Sequence, residues 1–150
     1  MPTSGRAPDV LVDTSVAVAL SIADHEHHAD VLRALDGRRL GLAGHAAFET
    51  FSVLTRLPPP ARRTPAVVAR VMRENFPATR FLSPDAAASL LERLAAGEIA
   101  GGAVYDALVG AVALEHGSPL VTVDRRALDT YRVLGVDVEV AATGGRTEPS

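Results

Sequence analysis

At 150 residues, with 47% apolar and 22% charged residues, the chain reads as one globular domain with room for a substantial core. Cysteine is absent, which excludes disulfides and thiolate metal sites, and no apolar run approaches the roughly 20 residues of a membrane span. The formal net charge of -3 argues against indiscriminate coating of nucleic acid, and all 15 basic residues are arginine, which removes every mechanism that needs a lysine.

No signal-peptide pattern opens the chain, and a cytoplasmic location is expected. Residues 1–8 are expected to form a loose leader and 142–150 a loose tail, leaving 9–141 as a single domain. The apolar run Val10–Val12 predicts a first strand, with a helix from about Ser15. EHHADVLRALDG has apolar residues at Ala29, Leu32 and Leu35 and predicts a helix stopped by Gly37. LGLAG at 40–44 predicts a second short strand, and HAAFETFSVLTRL a helix running to Pro58, Pro59 and Pro60.

PAVVARVMRENF predicts a helix whose stripe Val67, Val68, Val71, Met72 and Phe76 is a core candidate, and TRFL is a candidate strand. Ser83 as N-cap, Pro84 at the first helical position and Gly97 near the stop delimit the next helix. GGAVYDALVGAVALEHG predicts a helix apolar almost all round, closed by Gly117. PLVTV predicts a buried strand, DRRALDTYRVLG a helical turn or short helix, and VDVEVA a last strand. Short apolar strands alternating with helices imply an α/β fold with a mainly parallel sheet of four to five strands, covered on both faces.

In such a sheet, sites form at the carboxyl ends of the strands. Asp13 directly follows the first strand, and Asp124 follows Val123 at the end of PLVTV. Asp106 is expected in the second turn of its apolar helix, where the helix dipole favours negative charge. Glu49 is enclosed in sequence by Ala46, Ala47, Phe48, Phe51, Val53 and Leu54. Each acid also has a plain structural reading. Asp13 can cap the following helix, Glu49 can be an exposed helix residue, and Asp106 can serve its helix terminus. Asp124 can cap the RRAL turn or pair with Arg125 or Arg126.

If the four acids converge, their repulsion must be offset, since two unit charges about 4 Å apart repel by roughly 4 kcal/mol at an effective dielectric of about 20. Without lysine, that calls for protonation or a divalent cation. Hard oxygen ligands suit Mg²⁺ or Mn²⁺ rather than zinc, and phosphoryl transfer is the chemistry such a site supports best.

The segments VLVDTSVAVAL, FETFSVLTRL, YDALVGAVALEHG and LVTVDRRALDTYRVLGVDVEV, in this order and spacing, resemble a PIN-domain ribonuclease of the VapC type, the toxin of bacterial type II toxin–antitoxin pairs. The resemblance spans about residues 9–140 and implies a three-layer α/β/α sandwich. It implies Asp13 and Asp106 as principal metal ligands, with Glu49 and Asp124 completing the acidic pocket directly or through water. Ser15 and Thr122 are implied as supporting hydroxyls. The implied reaction is hydrolysis of RNA by a water activated by Mg²⁺ or Mn²⁺, leaving a 5′-phosphate and a 3′-hydroxyl. A VapB-type antitoxin and a second copy of the chain are the implied partners, and no membrane is. Gly110 departs from the alanine common in the family, at an expected cost to helix stability alone.

Arginine must supply any phosphate contacts, and Arg56, Arg62, Arg63, Arg125 and Arg126 are the candidates against an ordinary solvated surface. DHEHH at 24–28 offers His25 and His28 at i, i+3 as a metal pair, or simply a polar helix start. Glu115 and Asp129 read as solvated, with Asp129 in reserve for the pocket. Two alternatives stand beside the nuclease. A metal-dependent phosphohydrolase on a small substrate is disfavoured in its aspartate-nucleophile form, which wants an Asp where Ser15 stands and a lysine for phosphate. A non-catalytic PIN-like binding module would be expected to have lost acids, and all four are present.

Overall fold

The computed structural model describes residues 9–142, so the expected leader at 1–8 and residues 143–150 of the expected tail lie outside the described residues. Four parallel strands form one sheet in the order β2-β1-β3-β4. They are β1 (Asp9–Val12), β2 (Arg39–Leu42), β3 (Leu120–Thr122) and β4 (Val138–Val140). Val10 pairs with Leu40 and Val12 with Leu42 on one side of β1, and Leu11 with Leu120 on the other. Between the strands run α1 (Thr14–Ser21), α2 (His28–Leu35), α3 (His45–Thr55), α4 (Pro65–Asn75), α5 (Pro84–Ala96), α6 (Ala103–Glu115) and α7 (Leu128–Leu134), with a 3-10 turn at Arg125–Ala127. No helix among the described residues is long and apolar enough to cross a membrane.

The pleat of the strands sorts the core into two layers, because successive side chains leave a strand on opposite faces. Val10 and Val12 of β1 and Val121 of β3 pack with Val16, Val31, Leu35, Ala47 and Phe76 from the first four helices. Leu11 and Leu120 face the other way and pack with Leu90, Leu94, Val109, Val112, Tyr131 and Leu134 from the last three. The expected α/β/α sandwich follows directly from this division. Of the stripe expected as core in α4, only Val68 and Phe76 are buried; Val71 and Met72 are half-buried and Val67 is exposed.

TRFL forms no full strand. Residues 78–80 run beside the free edge of β2, with Ala78 N donating to Leu40 O at 2.9 Å and Arg80 N to Leu42 O at 3.2 Å. Only Ala43 and Arg80 complete a bridge, because Ser83 caps α5 three residues later. This edge segment lies so close that a Cβ on Gly41 would stand 2.2 Å from the Ala78 carbonyl oxygen. The α5 cap forms as expected, with Ser83 Oγ accepting from Ala86 N at 3.2 Å. Glu115 is exposed, as expected, and also accepts a bond from Ser83 N at 2.8 Å. Helix α3 stops at Thr55, short of the prolines, and Arg62 and Arg63 of that linker donate to the backbone carbonyls of Leu57 and Ser21.

Candidate active site

All four acids lie on the carboxyl side of the parallel sheet. Asp13 directly follows β1, and its backbone N continues the ladder onto Val121 O at 3.2 Å. It is also the N-cap of α1, its side chain accepting from Val16 N at 3.3 Å, so the capping reading and the site reading hold together. Asp124 follows β3 and caps the 3-10 turn, its Oδ1 accepting from Arg126 N at 3.0 Å. Glu49 lies one turn into α3. Asp106 stands in the first turn of α6 rather than the expected second, because Gly101 takes a left-handed conformation (φ +60) and the helix starts only at Ala103.

Asp13 is the buried centre of this arrangement, 4% exposed. Its Oδ1 accepts from Ser15 Oγ at 2.5 Å and its Oδ2 from Tyr131 Oη at 2.9 Å. Burial pushes its carboxyl above the usual carboxylate range, although Ser15, Thr122, Tyr131 and the Val16 amide all pull the other way. Ser15 and Thr122, expected to support the site, join the two strand ends. Their hydroxyls lie 3.3 Å apart, Ser15 Oγ accepts from Val123 N at 3.1 Å, and Thr122 Oγ1 accepts from Asp124 N at 2.9 Å. The carboxylates of Asp13 and Asp124 are therefore tied to one network of hydroxyls and backbone amides.

Tyr131 is the residue that the sequence reading missed. Its ring is buried in α7 against α6, and its hydroxyl is held far above the usual tyrosine range by burial and by the Asp13 carboxylate. The available signal was its i, i+3 spacing with Leu128 and Leu134, which places it on the buried face, where a hydroxyl must find a partner. Gly110 fits the same packing. A Cβ there would stand 3.1 to 3.3 Å from Val136, the Tyr131 ring and Leu134. The glycine expected to bear only on helix stability thus also borders the ring whose hydroxyl reaches Asp13.

Asp106 carries the electrostatic signature of convergence. Its pKa is pushed up to about 6, first by burial and then by the charges of Asp124, Asp13 and Glu49, with Arg126 opposing. Asp106 therefore lies within electrostatic reach of the other three acids. Their side chains are nevertheless not drawn into a closed cage: no group of three His, Asp or Glu among the described residues is arranged to hold an ion as it stands. Glu49 instead pairs with His45 at 3.3 Å. The donor set itself fits Mg²⁺ or Mn²⁺, being all carboxylate with hydroxyl support and without thiolate. The histidine cluster at 24–28 does not compete, since His28 Nδ1 lies 2.7 Å from the Ala19 carbonyl oxygen. A cavity of about 420 Å³ lined by Leu42, Met72, Phe76 and Phe81 includes none of the four acids.

The parallel sheet, the helices on both faces and the acids at the strand ends define a PIN-type architecture. A family model described as PIN domain matches residues 10–133, and the chain belongs to the PIN-domain family. Within it, the chain is 49% identical over 135 residues to Ribonuclease VapC27 of Mycobacterium tuberculosis, covering 90% of this chain and 98% of that protein. Two solved structures share the fold. One is VapC20 of Mycobacterium tuberculosis, described as a sarcin-ricin loop cleaving toxin, with a TM-score of 0.62 and 21% identity over 80% of this chain and 93% of that one. The other is VapBC2 from Rickettsia felis bound to a DNA fragment from their promoter, with a TM-score of 0.63 and 13% identity over 88% and 98%.

Proposed function

We propose that the chain is the toxin of a type II toxin–antitoxin pair and hydrolyses RNA phosphodiester bonds with Mg²⁺ or Mn²⁺. The observation that carries this reading is the placing of Asp13 and Asp124 after adjacent parallel strands, tied together through Ser15 and Thr122, in a chain 49% identical to a named ribonuclease. Asp13 and Asp106 would hold the cation, with Glu49 and Asp124 bound directly or through water. When bound, the cation lowers the pKa of a water and offsets charge developing on the phosphate.

The protein's own part is positioning. Ser15, Tyr131 and the Val16 amide fix the rotamer of Asp13 before anything binds, which avoids reorganisation at the moment of reaction. Arg126, its side chain exposed and 3.7 Å from Asp124, is placed to meet a phosphate oxygen. A VapB-type antitoxin would keep the toxin silent, and a second copy of the chain would complete a homodimer. The decisive test is sequencing of new RNA 5′ ends after induction, compared with Asp13→Asn. Cuts made by the parent and absent from the variant are expected, and an unchanged pattern in both overturns the proposal.

Two further outcomes follow from the same geometry. Tyr131→Phe keeps the ring but removes one donor from Asp13, and Mn²⁺ affinity measured by calorimetry should fall about tenfold, as for other residues that orient a ligand. The second outcome concerns pH. The Asp106 pKa of about 6 lies above its ordinary value of 3.8, so the folded state favours the protonated form. Its contribution to stability is complete below about pH 3.8 and is lost as pH rises through about 6. In EDTA the protein should therefore melt lower at pH 8 than at pH 5. Mn²⁺ should raise the melting temperature at pH 8 and do little at pH 5, where protons compete for the carboxylates.

A further inference from the structure

His45 and Tyr105 belong to no role assigned above, yet they border the acids from two elements. His45 is the first residue of α3, and its Nε2 lies 3.3 Å from Glu49 Oε1. Tyr105 immediately precedes Asp106 in α6. The two rings stack with centroids 5.2 Å apart and planes inclined by 24°. Tyr105 is 54% exposed in a helix whose later residues, Val109 to Ala113, are all buried. The chain has two tyrosines; one is buried and bonded to Asp13, and the other is half-exposed and stacked on His45.

Net charge favours a contact here that does not depend on charge. The chain carries a formal charge of -3, and four carboxylates repel a phosphate backbone. Stacking on a ring does not depend on charge, every nucleobase has a π-face, and proteins that take single-stranded RNA use tyrosine and histidine in this way. Glu49 contacts the His45 ring on one side, and the histidine backs Tyr105. Resting on the ribonuclease reading, we infer that His45 and Tyr105 form a stacking platform for a nucleobase beside the cleaved phosphate. The substrate is then single-stranded RNA or a loop base turned out of its helix. Stacked bases within a duplex are not available to the platform.

The test uses an RNA decamer spanning a cut mapped in cellular RNA, together with copies lacking the base on either side of that cut. Tyr105→Ala should raise KM about tenfold with kcat little changed, as expected for losing one stacked base, whereas Tyr105→Phe should match the parent. His45→Ala should move KM in the same direction. On the decamer without the stacked base, the parent should lose the same factor and Tyr105→Ala should lose nothing more. Equal losses by Tyr105→Ala on intact and abasic RNA, or an unchanged KM, overturn the platform and leave the nuclease standing. A parent that cuts no RNA overturns the reading on which the platform rests, and the platform with it.

Discussion

Asp106→Asn should reduce RNA cleavage by on the order of a thousandfold, roughly 4 kcal/mol of transition-state stabilisation, while making the protein more stable at pH 8. The two effects have one cause. The Asp106 carboxylate is destabilised by burial and by Asp124, Asp13 and Glu49, and the neutral amide escapes both. After allowing for solvent screening of a half-exposed group, the gain is about 1 kcal/mol, or a rise of about 3 °C in melting temperature without metal. Cleavage of total RNA with Mg²⁺ or Mn²⁺, and melting in EDTA at pH 8, measure the two halves. Asp13→Asn should match it in lost cleavage. Either variant cutting like the parent removes that residue from the site, and a lower melting temperature for Asp106→Asn contradicts the convergence of charge.

Gly41→Ala should have the largest effect on stability. Its new Cβ would meet the carbonyl oxygen and carbon of Ala78 at 2.2 and 2.3 Å, both backbone atoms that no rotamer change can move. Either β2 or the 78–80 segment must shift, which breaks the bonds from Ala78 N to Leu40 O and from Arg80 N to Leu42 O. A loss of roughly 3 kcal/mol is expected, near 10 °C in melting temperature. Gly102→Ala is the control, since nothing lies within 4 Å of its Cβ position. Differential scanning calorimetry separates the two, and equal melting points would show that the edge segment tolerates displacement.

Local pattern made most elements legible. Ser83 and Pro84 start α5 where expected, and the apolar triplet Val10–Val12 is a strand buried from both faces. The sequence errs where a neighbour decides. TRFL has a strand's composition, but it lies on an open edge and is cut short by the α5 cap, so it makes one bridge. The spacing alone puts Asp106 one turn too late, because a glycine pair reads the same inside a helix and just before it; only the left-handed backbone of Gly101 distinguishes them.

The sequence by itself determined the alternation of strands and helices, and it put acids directly after two buried strands, because periodicity and chain punctuation are local properties. Tertiary structure alone decided what those acids face. Tyr131 reaches Asp13 across 118 residues of chain, and Ser15 meets Thr122 across 107. The rise of Asp106 likewise comes first from its burial in the packed fold and then from charges on three other elements. Hydrogen bonds and Coulomb forces act through space, over distances that only the parallel order of β1 and β3 brings within reach.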